Sequence, residues 1–113
     1  MILYGIPNCD TVKKARVWLD ERGLAHTFHD YKKAGVTSEK LNSWCAAKGW
    51  DVILNRAGTT FKKLADEDKA DLDQAKAVAL MIAQPSMIKR PIVERGDTMI
   101  VGFKADEWAT VFA

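Results

Sequence analysis

Apolar positions along this chain switch between short runs, strict alternation and helical spacing, and each switch marks an element. Ile2-Leu3-Tyr4 is a short run that reads as a strand. It passes through Gly5, Pro7 and Asn8 into a segment from Asp10 to Arg22, with Val12, Ala15, Trp18 and Leu19 at helical intervals and Gly23 as its stop. Thr27-Phe28-His29-Asp30-Tyr31 alternates polar with bulky groups, as a second strand does, and the short link before it predicts a right-handed βαβ unit with parallel strands. The middle of the chain, from about 37 to 84, reads as helical. Leu41, Trp44 and Cys45 share a face, Val52-Ile53-Leu54 is a short turn or helix, and Leu72, Ala75, Val78, Ala79 and Ile82 mark the apolar face of a longer helix closed by Pro85. Arg90 to Arg95 and Thr98 to Val101 read as strands joined by Gly96-Asp97, and the segment from Ala105 to Phe112 as a closing helix.

The predicted architecture is α/β: a βαβ unit, a helical insertion at about 37–84, a β-hairpin and a last helix, in one domain spanning 1–113. The opening unit is half of a thioredoxin-like core, and the whole implies a mixed four-stranded sheet. In an open sheet of this kind ligands bind outside the strand ends, which singles out the turn between the first strand and the first helix.

Cys9 stands in that turn. A thiol at a helix N-terminus faces unpaired backbone N–H groups and the positive end of the helix dipole, both of which favour thiolate. Cysteine is also among the most buried residue types, and that is the competing reading; the turn location weighs against it. The position three residues on is Val12, so a Cys-x-x-Cys dithiol is absent and any redox cycle needs an external thiol. The second cysteine, Cys45, lies beside Trp44 on an apolar helical face and reads as a core residue.

Composition narrows the partners. Seventeen Lys plus Arg against fifteen Asp plus Glu give a net charge of +2, too slight for a bulk nucleic-acid binder. The longest apolar run, Ala77 to Ala83, is far short of a membrane span, and the N-terminus shows no secretion signal, so a reducing cytoplasm is the expected compartment. His26 and His29 have no partner at metal-ligand spacing, and no bound cofactor or metal is expected. Trp18, Trp44, Trp50 and Trp108 are spread over separate helices and read as packing residues.

Four ordered segments carry a family resemblance: Gly5-Ile6-Pro7-Asn8-Cys9-x-Thr11-x-Lys13-Lys14-Ala15, Leu54-Asn55-Arg56, Lys89-Arg90-Pro91-Ile92-Val93 and Val101-Gly102-Phe103. Together they resemble the arsenate reductase (ArsC) and Spx/MgsR family, most of all its YffB-type branch. The resemblance implies a thioredoxin-like fold with a helical insertion, and thiol reduction that uses glutathione as co-substrate, with glutaredoxin as a partner. It further implies Cys9 as nucleophile, Arg56 and Arg90 as oxyanion-binding arginines, and Pro91 as a cis proline after Arg90. The family's third arginine falls in the stretch Val101-Gly102-Phe103-Lys104, which has none. That departure favours a glutathione-linked disulfide as substrate over arsenate.

The residues support the same chemistry independently of the resemblance. A guanidinium fork holds an oxyanion or carboxylate in a fixed orientation, whereas Lys13 or Lys104 offers only a mobile point charge. Asn8 and Thr11 are placed to orient the sulfur or to cap the helix, the commoner use of both residue types. The expected function is therefore a glutathione- or glutaredoxin-dependent thiol reductase acting through Cys9. The alternatives are an arsenate reductase proper and an Spx-like regulator that binds RNA polymerase.

Overall fold

The computed structural model describes all 113 residues. Its backbone divides into two compact units: Met1–Asp30 together with Arg90–Ala113, and Tyr31–Lys89.

The first unit is built on a mixed four-stranded sheet. Its strands are β1 (Ile2–Gly5), β2 (Thr27–Asp30), β3 (Ile92–Arg95) and β4 (Thr98–Val101), in the spatial order β2-β1-β3-β4. β1 runs parallel to β2 and antiparallel to β3, and β3 pairs with β4 as a hairpin. Register puts Leu3 opposite both Phe28 and Val93, and Val93 opposite Ile100. Because side chains alternate along a strand, these four share one face of the sheet. Helix α1 (Asp10–Glu21) covers that face with Val12, Ala15, Trp18 and Leu19, and the buried Trp108 from the last helix of the chain completes the cluster.

Aromatic rings dominate this core. Trp108 is fully buried, sits edge-on to Phe103 at 4.8 Å and to Trp18 at 5.7 Å, and donates its indole N–H to the Gly102 carbonyl at 3.1 Å. That hydrogen bond satisfies the one polar atom the ring carries inward, so the large apolar burial is not offset by a stranded donor. On the opposite sheet face the Tyr4 hydroxyl donates to a Glu94 carboxylate oxygen at 2.5 Å, and the Tyr4 ring lies 4.9 Å from that of His29.

The second unit is helical: α2 (Tyr31–Ala34), α3 (Ser38–Lys48), α4 (Trp50–Ile53), α5 (Thr59–Lys62), α6 (Asp66–Lys69) and α7 (Gln74–Ala83), then a 3₁₀ turn at Pro85–Met87. Thr37 caps α3 by accepting from the Lys40 N–H at 3.1 Å, and Asp73 caps α7 by accepting from the Lys76 N–H at 2.8 Å. Leu41, Trp44, Ile53, Leu54, Met81, Met87 and Ile88 are buried, and Cys45 lies among the buried residues as its neighbours imply. Backbone pairing of Leu54 with Ile88 staples the middle of the unit to its end. The closing helix of the chain, α8 (Ala105–Val111), belongs to the first unit.

One expected helix face is overturned. The residues α7 buries are Ala77, Val78 and Met81, while Ile82 is 46 % exposed, Ala75 and Ala79 are exposed and Leu72 precedes the helix. Gln74 to Ala83 is apolar nearly all round, so spacing alone leaves the helix free to rotate about its axis, and the Asp73 cap together with the packing partners sets the phase. The first helix shows the opposite case: its polar outer face leaves only one possible inner face, and the expected residues are the buried ones.

Candidate active site at the first turn

β1 ends at Gly5, and the chain turns back within four residues, the Cys9 N–H donating to the Ile6 carbonyl at 3.3 Å. A methyl group on Gly5 would come within 2.8 Å of Val12 Cγ2, so the strand end and the first turn of α1 approach closer than any other residue allows. Cys9 is the N-cap of α1, with extended backbone (φ −104°, ψ 123°), and its carbonyl accepts the first helical bond, from the Lys13 N–H at 2.9 Å. The side chain is half-buried and packs against the edge of the core cluster.

Five influences meet at the Cys9 sulfur. Burial, the largest single one, pushes the thiol pKa up; the Val12 N–H, the Arg90 guanidinium and the Thr11 N–H act as donors to the sulfur, and the Arg90 charge adds to them. Together the donors outweigh burial, and Cys9 lies below the ordinary thiol value. Burial alone acts on Cys45, and raises it. The two thiols are thus pushed in opposite directions by the presence and absence of donors.

Arg90 precedes β3, its Nε shielded from solvent, and the Arg90–Pro91 peptide bond is cis. Pro91 is buried, and its carbonyl accepts from the Gly102 N–H at 2.8 Å, which ties the start of β3 to the end of β4.

The candidate residues divide by unit. Cys9, Arg90, Pro91, Asn8, Thr11 and Lys13 belong to the sheet unit; Asn8, Thr11 and Lys13 are exposed there. Arg56 belongs to the helical unit, exposed after α4, with its guanidinium 5.6 Å from the Trp50 ring centre. Lys104 is the N-cap residue of α8. Thr11 meets the sulfur through its backbone N–H, and Cys9 itself occupies the cap position that Asn8 or Thr11 was expected to serve. Val12 was read in the sequence as an apolar position of the first helix and as the missing second cysteine. Its N–H is nonetheless the foremost of the donors at the sulfur, a role that follows from its place three residues after the N-cap and not from its side chain.

Comparison with known proteins gives the family and the fold. A YffB protein of known structure is 60 % identical and superposes with a TM-score of 0.96, covering 99 % of this chain and 98 % of its own. An arsenate reductase (ArsC) related protein from Brucella melitensis is 50 % identical with a TM-score of 0.79, over 98 % of this chain and 92 % of its own. The global transcriptional regulator Spx of Streptococcus mutans is 27 % identical over 107 residues, covering 93 % of this chain and 77 % of the regulator. The mixed sheet with its helical unit is the thioredoxin-like fold of these relatives. A model of the ArsC family matches residues 4–111, and the chain belongs to the ArsC family.

Proposed function

We propose that this ArsC-family protein is a thiol oxidoreductase that reduces glutathione-linked disulfides through a single nucleophilic cysteine. The observation that carries the reading is the Cys9 sulfur at the N-cap of α1 with the Arg90 guanidinium beside it and its pKa lowered. A thiolate is the nucleophile in disulfide exchange, and a pKa lowered toward neutrality keeps a larger fraction of it in that form.

In the proposed cycle the Cys9 thiolate attacks one sulfur of a glutathione mixed disulfide. The S–S bond breaks, a new one forms to Cys9, and the displaced thiolate leaves with the electron pair. A glutathione thiolate, or a glutaredoxin thiol, then attacks the adduct, frees Cys9 and carries the disulfide away. Arg90 steadies the thiolate at the start and end of the cycle and offers its fork to a carboxylate or oxyanion of the substrate. No bound cofactor takes part. Arg56, the second arginine implied by the resemblance, is assigned to anion binding, and Arg56→Ala measures its contribution separately. Arsenate is the second candidate substrate, ranked lower because Lys104 stands where the family's third arginine is expected.

Intact-mass spectrometry after incubation with oxidised glutathione tests the reading. A single adduct on wild type that is absent from Cys9→Ser, formed at pH values where a free thiol reacts slowly, supports it. No adduct, or one on Cys45 alone, overturns it. The Spx relatives favour a second reading, a regulator that binds RNA polymerase; stable capture of the polymerase by an unmodified protein that forms no adduct would establish that reading instead.

A further inference from the structure

Helix α1 carries more than the sulfur at its start. Residues four apart lie one above the next on a helix, so Lys13, Val17 and Glu21 form a ridge that begins at Cys9. Along this ridge runs an open groove of about 300 Å³ lined by Lys13, Lys14, Val17, Trp18 and Glu21. Val17 is 53 % exposed, a large apolar side chain on an otherwise charged face, and Trp18 supplies the inner wall with the Arg22 guanidinium 3.8 Å above its ring.

We propose that this ridge docks an acidic polypeptide carrying the disulfide, and that the reductase therefore acts on a protein partner and not on free glutathione disulfide alone. The inference rests on the reading of Cys9 as nucleophile and deepens it. Charge complementarity selects the partner: Lys13 and Lys14 are two exposed cations between the sulfur and the apolar patch against one exposed acid, Asp10, in the first turn, and Glu21 with its neighbour Arg22 closes the far end. Geometry sets the spacing. With a helical rise of about 1.5 Å per residue, Lys13 lies roughly 6 Å and Val17 roughly 12 Å along the axis from Cys9. An extended chain advances about 3.3 Å per residue, so its acidic side chains fall about two residues from the reacting cysteine and its apolar anchor about four. A segment with acidic residues between cysteine and anchor fits.

The experiment uses synthetic peptides whose single cysteine is glutathionylated. One has two glutamates between the cysteine and a leucine four residues away, and a second has lysines in their place. Stopped-flow or mass-spectrometric rates of Cys9 attack are compared with those for oxidised glutathione. The acidic peptide is expected to react roughly tenfold faster than the basic one at low salt. Val17→Glu and Lys14→Glu should each remove most of that preference while the rate with oxidised glutathione stays within about twofold. Both substitutions are at exposed positions of α1 and spare its buried face. Equal rates for both peptides, or a preference that survives both substitutions, overturns the docking proposal while leaving the reductase standing. Failure of Cys9 to react with oxidised glutathione or with any peptide overturns both.

Discussion

Arg90 faces the Cys9 sulfur from before β3, both as a hydrogen-bond donor and as a positive charge, although the whole helical unit separates the two residues along the chain. The sheet makes the meeting possible: β1 and β3 are antiparallel neighbours, so the end of β1, which leads into Cys9, lies beside the start of β3, which Arg90 precedes. A donor from the backbone and one from a distant side chain therefore converge on the same atom.

Removing the guanidinium tests that convergence. Arg90→Lys keeps a charge but loses the planar fork, and the rate of Cys9 modification at neutral pH should fall roughly tenfold, in line with the value of hydrogen bonds to charged groups. The deficit should shrink as the pH approaches 9, where the thiolate forms without help. A pH-rate profile on the two proteins decides it; a uniform loss at every pH would mean that Arg90 acts on the partner and not on the thiol.

The thiols should separate cleanly by substitution. Cys9→Ser is expected to abolish disulfide exchange, and Cys45→Ser to leave its rate within about twofold, since Cys45 is 3 % exposed and its thiol is pushed up by burial. Equal losses from the two substitutions, read by adduct formation on the folded proteins, would overturn the assignment.

Stability should follow pH through Cys9 in a predictable direction. The fold favours the thiolate, so Cys9 contributes fully above the ordinary value of 9.0 and loses that contribution as the pH falls through its lowered value. Wild type should thus gain stability relative to Cys9→Ser between about pH 5 and pH 9.5. Urea midpoints at the two pH values measure it, and a gap that narrows with rising pH contradicts the direction.

Gly5→Ala should cost about 1–3 kcal/mol, because the new methyl would press against the branched Val12 side chain at the strand end. Val12→Ala in the same chain should recover part of that loss, since the clash is with the branch methyls. A denaturant double-mutant cycle reads the coupling; simple additivity would show that the close approach is relieved elsewhere.

Tyr4→Phe should destabilise by roughly 1–3 kcal/mol by removing the hydrogen bond to the Glu94 carboxylate. Burial first, then the hydrogen bond to Glu94 and its charge, raise the Tyr4 phenol above its ordinary value of 10.0, so its contribution holds below pH 10 and is lost as the pH climbs beyond. Thermal melts at neutral and strongly alkaline pH should therefore converge for the two proteins at the alkaline end.

What the sequence determined by itself is the order of elements, the parallel first unit of a mixed four-stranded sheet, and local detail. The turn Gly5 to Cys9, the inner face of α1, the hairpin at Gly96-Asp97 and the core place of Cys45 all follow from spacing and neighbours, because each depends on residues within one or two turns of chain. Tertiary structure decided what spacing leaves open. The phase of α7 needed packing partners, since a helix apolar on most sides carries no preferred inward face. The balance at the Cys9 sulfur needed the β1–β3 pairing that brings Arg90 to it, and the register that sets Leu3, Phe28, Val93 and Ile100 in one row under α1. A thiol's ionisation is set by every donor and every desolvating neighbour around it, and those neighbours come from parts of the chain that only the folded sheet brings together.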